Sequence, residues 1–208
     1  MCSVMGVLFG MSVLPAHAQL APTVVFSELN WGGSGRGIAD EWFEIANVGA
    51  ESVDVGGWSV TGMATGGGLI TLPEDAVIPA GGTYLVANYA PGDVSTLAIT
   101  SDLVTTAVSI PNTKITATLV DADGTVVDSV TDPGTPDYGS STAPFASMER
   151  DLATLAWQAP TVSLNLIDAT QLGTPGFANI PEVLIDTPPA MGETEGASLK
   201  LVVTTDPA

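Results

Sequence analysis

DEWFEIANVGAESVDVGGWSVTG, residues 40–62, reads as a half-buried strand, a polar turn and a second strand opened by Trp58. Successive side chains of a strand point to opposite faces, so Phe43 and Ile45 share one face while Trp42, Glu44 and Ala46 share the other. The Phe43/Ile45 face is expected to meet the core. Outward from this stretch, Thr and Val are abundant, Gly and Pro punctuate the chain at short intervals, and no long 3.6-residue apolar periodicity appears, so almost no helix is expected. Further strands are expected over residues 24–30, 69–72, 83–88, 104–109, 115–120 and 125–130, a number that suits a two-sheet sandwich. Asp123-Gly124 between the last two marks a hairpin, because Gly accepts the positive φ that a tight turn demands.

After DEWFEIAN and the GGW of residues 56–58 come IPAGGTYLVAN (78–88), LVDADGTVVDSV (119–130), SMER (147–150), Trp157 and TPGFAN (174–179). In this order, and over residues 23–179, the chain resembles the lamin tail domain family. The resemblance implies an all-β, immunoglobulin-like β-sandwich. In bacteria it implies a module of secreted or surface proteins that is not itself an enzyme.

Residues 4–14 form an apolar run followed by Pro15 and the small-residue site Ala16-His17-Ala18, the pattern of a cleaved signal peptide over residues 1–18. The pattern departs from a full signal in having no Lys or Arg ahead of the run, as expected if the natural start lies further upstream. A buried amino-terminal strand is the alternative. The run is shorter than the roughly 20 residues a helix needs to span a bilayer. Cys2 and His17 are the only cysteine and histidine, so cleavage after Ala18 removes both. The mature chain then has no disulfide, no Ser-His-Asp or Cys-His machinery, and no imidazole or thiolate for zinc. The folded domain is expected over residues 19–179. Residues 180–208 change composition: PEVLIDTPPAMGETEG reads as a linker, and ASLKLVVTT alternates like an edge strand or the start of a further module.

Arg36, Lys114, Arg150 and Lys200 are the only basic residues against 23 acidic ones, giving a net charge of −19. Nucleic-acid binding needs a basic patch to displace counterions from phosphates, so nucleic acid is excluded as a partner even though animal lamin tails are associated with chromatin. The acidic excess favours solubility, repels anionic membranes and attracts cations.

Four local features invite sharper readings. WGGSGRG (31–37) joins two expected strands and lacks the Lys and the following helix of a phosphate loop, so it reads as a flexible connection, with ligand contact by Arg36 as the alternative. Asp121, Asp123 and Asp128 form an acidic hairpin whose alternative reading is a calcium site, although Gly124 falls at the wrong position for an EF-hand. Glu28, Asp40, Glu41 and Glu44 are the carboxylates a histidine-free catalyst would use. Asp40 and Glu44 share a face about 13 Å apart and Glu41 points the other way, whereas glycoside hydrolysis needs about 5–9.5 Å. Glu28, on another strand, leaves that gap open to closure. Arg150 is expected to hold Glu44 or Glu28 in a structural ion pair. Of the tryptophans, Trp58 and Trp157 are expected to pack, while Trp31 and Trp42 are the exposed candidates for binding a polysaccharide or protein.

No residue is therefore assigned a catalytic, cofactor-binding or metal-ligating role, and no cofactor is expected. The expected function is a non-catalytic exported module for adhesion, assembly or targeting at the cell surface, its partner a surface protein or polysaccharide. The alternatives are a calcium- or carbohydrate-binding accessory domain, or the front module of a larger secreted hydrolase.

Overall fold

The computed structural model describes residues 23–178; the expected leader and the stretch beyond residue 180 lie outside the described residues. The strands are β1 (Val24–Asn30), β2 (Trp42–Asn47), β3 (Val53–Asp54), β4 (Ser59–Thr61), β5 (Leu69–Thr71), β6 (Val77–Ile78), β7 (Thr83–Ala87), β8 (Leu103–Val104), β9 (Thr116–Val120), β10 (Val126–Thr131), β11 (Met148–Arg150) and β12 (Trp157–Gln158). Among the described residues the sole helical element is a 3-10 turn at Thr65–Gly67. A six-stranded sheet runs in the order β12-β11-β1-β2-β7-β8, a four-stranded sheet in the order β10-β9-β4-β5, and β3 pairs with β6. Pairing is antiparallel except between β7 and β8. The result is the expected immunoglobulin-like sandwich.

The core lies between the two larger sheets. Val24, Phe26, Leu29, Phe43, Ile45 and Val86 from one meet Val60, Ile70, Ala117, Leu119 and Val130 from the other. Phe26 and Phe43 meet edge to face with ring centroids 6.2 Å apart, the arrangement their ring quadrupoles favour. Each such side chain contributes roughly 1.5–3 kcal/mol by leaving water. Phe43 and Ile45 thus occupy the face that strand alternation assigns to them.

The other face of the six-stranded sheet is not solvated. Every residue of β1 and β2 is buried, because two irregular segments cover that face. Leu97, Ile99 and Leu166 lie over Trp42, Leu85 and Ala87; Leu152, Leu155 and Ala178 lie over Val25 and Ala46. The two segments are joined by backbone hydrogen bonds from Ala98 N to Asn165 O (2.8 Å) and from Ile167 N to Thr96 O (2.7 Å).

Two local departures from regular strand geometry reshape the six-stranded sheet. A bulge between Phe26 and Glu28 inserts Ser27 into β1. Ser27 and Glu28 both bond partners on the outer side, and Leu29 returns to the core. The strand expected over residues 104–109 shrinks to Leu103–Val104, paired with β7. There Ala107 N donates to Thr105 Oγ1 (3.3 Å) and Val108 N to Thr105 O (3.2 Å), so local bonding at Thr105 turns the chain away from the sheet edge. The Asp123-Gly124 hairpin forms as expected, with Gly124 at φ 84° and Asp121 N donating to Thr125 O (2.9 Å).

Candidate functional site

Of the four acidic residues singled out, the fold brings two together and sends two elsewhere. Asp40 accepts from Ser34 Oγ and from Thr96 N, each at 2.6 Å, and so ties the first Gly-rich loop to the covering segment. Glu41 points to the opposite side, where Ile110 N donates to it at 3.1 Å. Glu28 and Glu44 stand directly opposite each other in the β1–β2 register, where side chains leave the backbone about 4.5–5.5 Å apart. Glu149, on β11, stands opposite Glu28 on its other side. Sequence reasoning misses Glu149: within SMER the rarity of basic residues draws attention to Arg150, and only the β1–β11 register places Glu149 beside Glu28.

Each of these carboxylates is met by the chain's own donors. Ser147 Oγ donates to Glu28 Oε1 at 2.5 Å and Thr174 N to the same oxygen at 2.9 Å. Ser27 Oγ donates to Glu44 Oε1 at 2.8 Å, and Gly176 N to Glu44 Oε2 at 2.5 Å. The Thr174 hydroxyl lies 3.3 Å from Glu28 Oε2 and 2.8 Å from Glu149 Oε1. Gly173 allows this close approach: a Cβ there would lie 2.8 Å from Glu28 Oε1 and 2.9 Å from Ser147 Oγ, and its φ is +154°.

Burial pushes the Glu28 carboxyl well above its usual range, and the neighbouring Glu44 and Glu149 charges push it further, against the lowering by Ser147 and Thr174. Burial raises Glu44 to about 7 against its bonds to Ser27 and Gly176. It raises Glu41 to about 7 and raises Glu149 as well. At about 7, Glu41 and Glu44 exchange protons near neutrality, which is what acid–base chemistry requires. Here, however, Glu28 and Glu44 are fully buried beneath residues 173–176, and their oxygens face donors from the same chain. The arrangement fastens the covering segment to the sheet.

The family model described as Lamin Tail Domain matches residues 17–134, more than half of the 208-residue chain. The chain belongs to the lamin tail domain family. Domains of this family are immunoglobulin-like and usually non-catalytic. No curated protein matches the chain. In this lamin tail domain the sheet continues beyond the matched residues, since β11 and β12 extend the six-stranded sheet past β1. No helix among the described residues is long and apolar enough to cross a membrane.

Arg150 does not hold Glu44 or Glu28. Its Nη1 lies 2.6 Å from Asp128 Oδ2, its Nε donates to Leu155 O at 2.9 Å, and its guanidinium sits 5.5 Å from the Trp157 ring centroid. The reason is register. A bulge between Val126 and Asp128 in β10 turns Asp128 toward the other sheet, where the same oxygen accepts from Phe26 N (2.9 Å) at the bulge of β1. Asp128 thus clips one sheet to the other.

This separates Asp128 from the hairpin tip. Asp121 Oδ1 accepts from Asp123 N (3.0 Å) and Thr125 N (2.8 Å), and among the described residues no group of three or more His, Cys, Asp or Glu side chains is placed to hold a metal. Asp121→Ala is expected to cost about 1 kcal/mol through loss of these bonds, read as a lower urea midpoint. Millimolar calcium is expected to leave the melting temperature of the wild type unchanged, whereas a native-state ligand would raise it.

The tryptophans redistribute as well. Trp42 is 0% exposed and Trp31 3%, so neither is a surface platform. Trp42 lies under Leu97, and Trp31 Nε1 donates to Tyr138 O at 3.0 Å. Trp58 and Trp157 pack half-buried against the core, as expected. The Gly-rich loop is pinned: Ser34 and Gly37 bridge each other, and Arg36 Nη1 donates to Gly92 O (3.2 Å) and Asp93 O (3.3 Å).

Proposed function

We propose that this lamin tail domain is an exported, non-catalytic module for adhesion, assembly or targeting at the cell surface. The observation that carries the reading is the use of the acid–base carboxylates as internal fasteners. Glu28 and Glu44, the pair best suited to proton transfer, are fully buried and hold Thr174 and Gly176. A substrate would reach them only by displacing the segment they secure. The signal-like residues 1–18 support export, and the net charge of −19 argues against polyanionic partners.

The purified chain is expected to sediment with isolated cell envelopes equally with and without calcium, and to leave duplex DNA unshifted at physiological salt. Absence of envelope binding under both conditions overturns the reading.

A further inference from the structure

β10 is the outer strand of the four-stranded sheet and β12 the outer strand of the six-stranded one. Between them opens a hollow of about 170 Å³ lined by Val130, Asp132, Asp137, Tyr138, Met148 and Trp157 together with Thr131. Val130 and Met148 are buried, Trp157 is half-buried and Tyr138 is 39% exposed.

The charge of this lining is one-sided. It offers two aromatic rings and two carboxylates, and no Lys, Arg, Asn or Gln. Among the described residues Asp137 accepts no hydrogen bond, and Asp132 gives only Oδ1 to Gly134 N (2.9 Å), so both keep capacity for a donor. The Thr131 and Tyr138 hydroxyls and the Trp157 indole N–H supply donors as well, but a neutral sugar would leave both carboxylate charges uncompensated. A guanidinium needs only acceptors and ring faces: it stacks on Trp and Tyr and bonds carboxylates in its plane. Trp157 already carries one guanidinium, that of Arg150, whose charge is compensated by Asp128 at 2.6 Å. The hollow, about 170 Å³, is smaller than the roughly 300–1,000 Å³ of pockets that take whole small molecules and has room for a single side chain. The net charge of −19 steers a basic partner toward the domain.

We infer that this hollow receives an arginine side chain projecting from a partner protein, and that it is the docking point of the module. The inference rests on the binding-module reading above and names the chemistry of the partner.

The test titrates the full chain, by calorimetry, with a glycine–serine peptide carrying two arginines, with its citrulline counterpart, and with a neutral glucose tetrasaccharide. The arginine peptide is expected to bind at least about tenfold more tightly than the citrulline peptide, the charge-assisted bonds being the stronger ones. Tyr138→Ala and Asp137→Asn each weaken it about threefold. Asp123→Asn makes the same charge change at the far tip of the β9–β10 hairpin and is expected to have no effect. Residues 137 and 138 are exposed, so unchanged melting temperatures confirm that the variants are folded.

Equal weakening by Asp123→Asn overturns the inference in favour of diffuse attraction, and binding of the tetrasaccharide in place of the peptide overturns it in favour of a sugar site. No binding of either overturns it too. Envelope sedimentation separates the two readings: if the wild type and the Asp137→Asn/Tyr138→Ala variant sediment equally, the hollow is not the docking point although the module binds. If the wild type does not sediment, the binding-module reading itself fails.

Discussion

Arg150→Ala is expected to destabilise the sandwich by about 3–5 kcal/mol, the range for removing one partner of a buried ion pair. Arg150 and Asp128 side chains are only 12% and 8% exposed, so the Asp128 carboxylate left behind cannot recover full hydration. It would keep one donor, Phe26 N, in a site built for two. The substitution also strips Trp157 of its guanidinium and Leu155 O of its donor. For a chain of this size the loss corresponds to a fall in melting temperature of about 2–4 °C per kcal/mol, and urea unfolding gives the free energy directly.

A double-mutant cycle between Arg150→Met and Asp128→Asn should return a coupling above about 1 kcal/mol, whereas Arg150→Met and Glu44→Gln should add independently. A loss under about 1 kcal/mol for Arg150→Ala would place the pair among ordinary solvated ion pairs and remove the clip between the sheets.

The second large effect is a decline in stability as pH rises from 5 to 8. Glu28, Glu41, Glu44 and Glu149 all have folded-state pKa values above the usual 4.5, principally because burial disfavours the carboxylate. Between 4.5 and the raised values the folded chain binds more protons than the unfolded one, so stability falls with pH. The contribution is fully present below about 4.5 and is lost on passing about 7 for Glu41 and Glu44. For Glu44 alone the shift corresponds to on the order of 3 kcal/mol.

The contacts of Thr174 agree. Its one hydroxyl proton cannot serve both Glu28 Oε2 and Glu149 Oε1, so both contacts are satisfied when one of the two carboxyls carries a proton of its own. Asp151 and Asp168 run the other way, their pKa lowered by hydrogen bonds from residues 153–154 and 170 respectively. Their contribution is lost only as pH falls through the acid range, outside this window.

General repulsion among the remaining acidic groups acts in the same direction as the buried carboxylates. The measurement is therefore the slope of melting temperature against pH in about 0.5 M salt, where surface charges are screened. Glu28→Gln and Glu44→Gln are each expected to flatten it. If both retain the full wild-type slope, these carboxyls are not the source.

Much of the scaffold is readable in the sequence because strand alternation and turn chemistry act over a few residues. Phe43 and Ile45 face the core because neighbouring side chains on an extended chain must diverge. The strand expected over residues 24–30 forms with both ends in place, and Gly124 makes its turn because it alone there accepts φ 84° without a Cβ clash. The family match stops at residue 134; beyond it, the last three residues of SMER form β11.

The inferences that fail are those that need to know what lies across the fold. Alternation turns Trp42 away from the core correctly, but nothing local shows that Leu97 and Leu166, far along the chain, return to cover it. The partner of Arg150 depends on two bulges and on the stacking of β10 against β1.

The sequence by itself determined an all-β sandwich with Phe43 and Ile45 inward, a hairpin at Asp123-Gly124, and a net charge of −19, since these follow from local sterics and summed charge. Only the tertiary structure decided that Glu28, Glu44 and Glu149 converge under a covering segment, that Asp128 takes Arg150, and that Tyr138 and Trp157 frame an open hollow. Strict alternation from Phe26 would send Glu28 into the core. The bulge at Ser27 reverses it, and whether a strand bulges is settled by what its neighbours on both sides must pair with and bury.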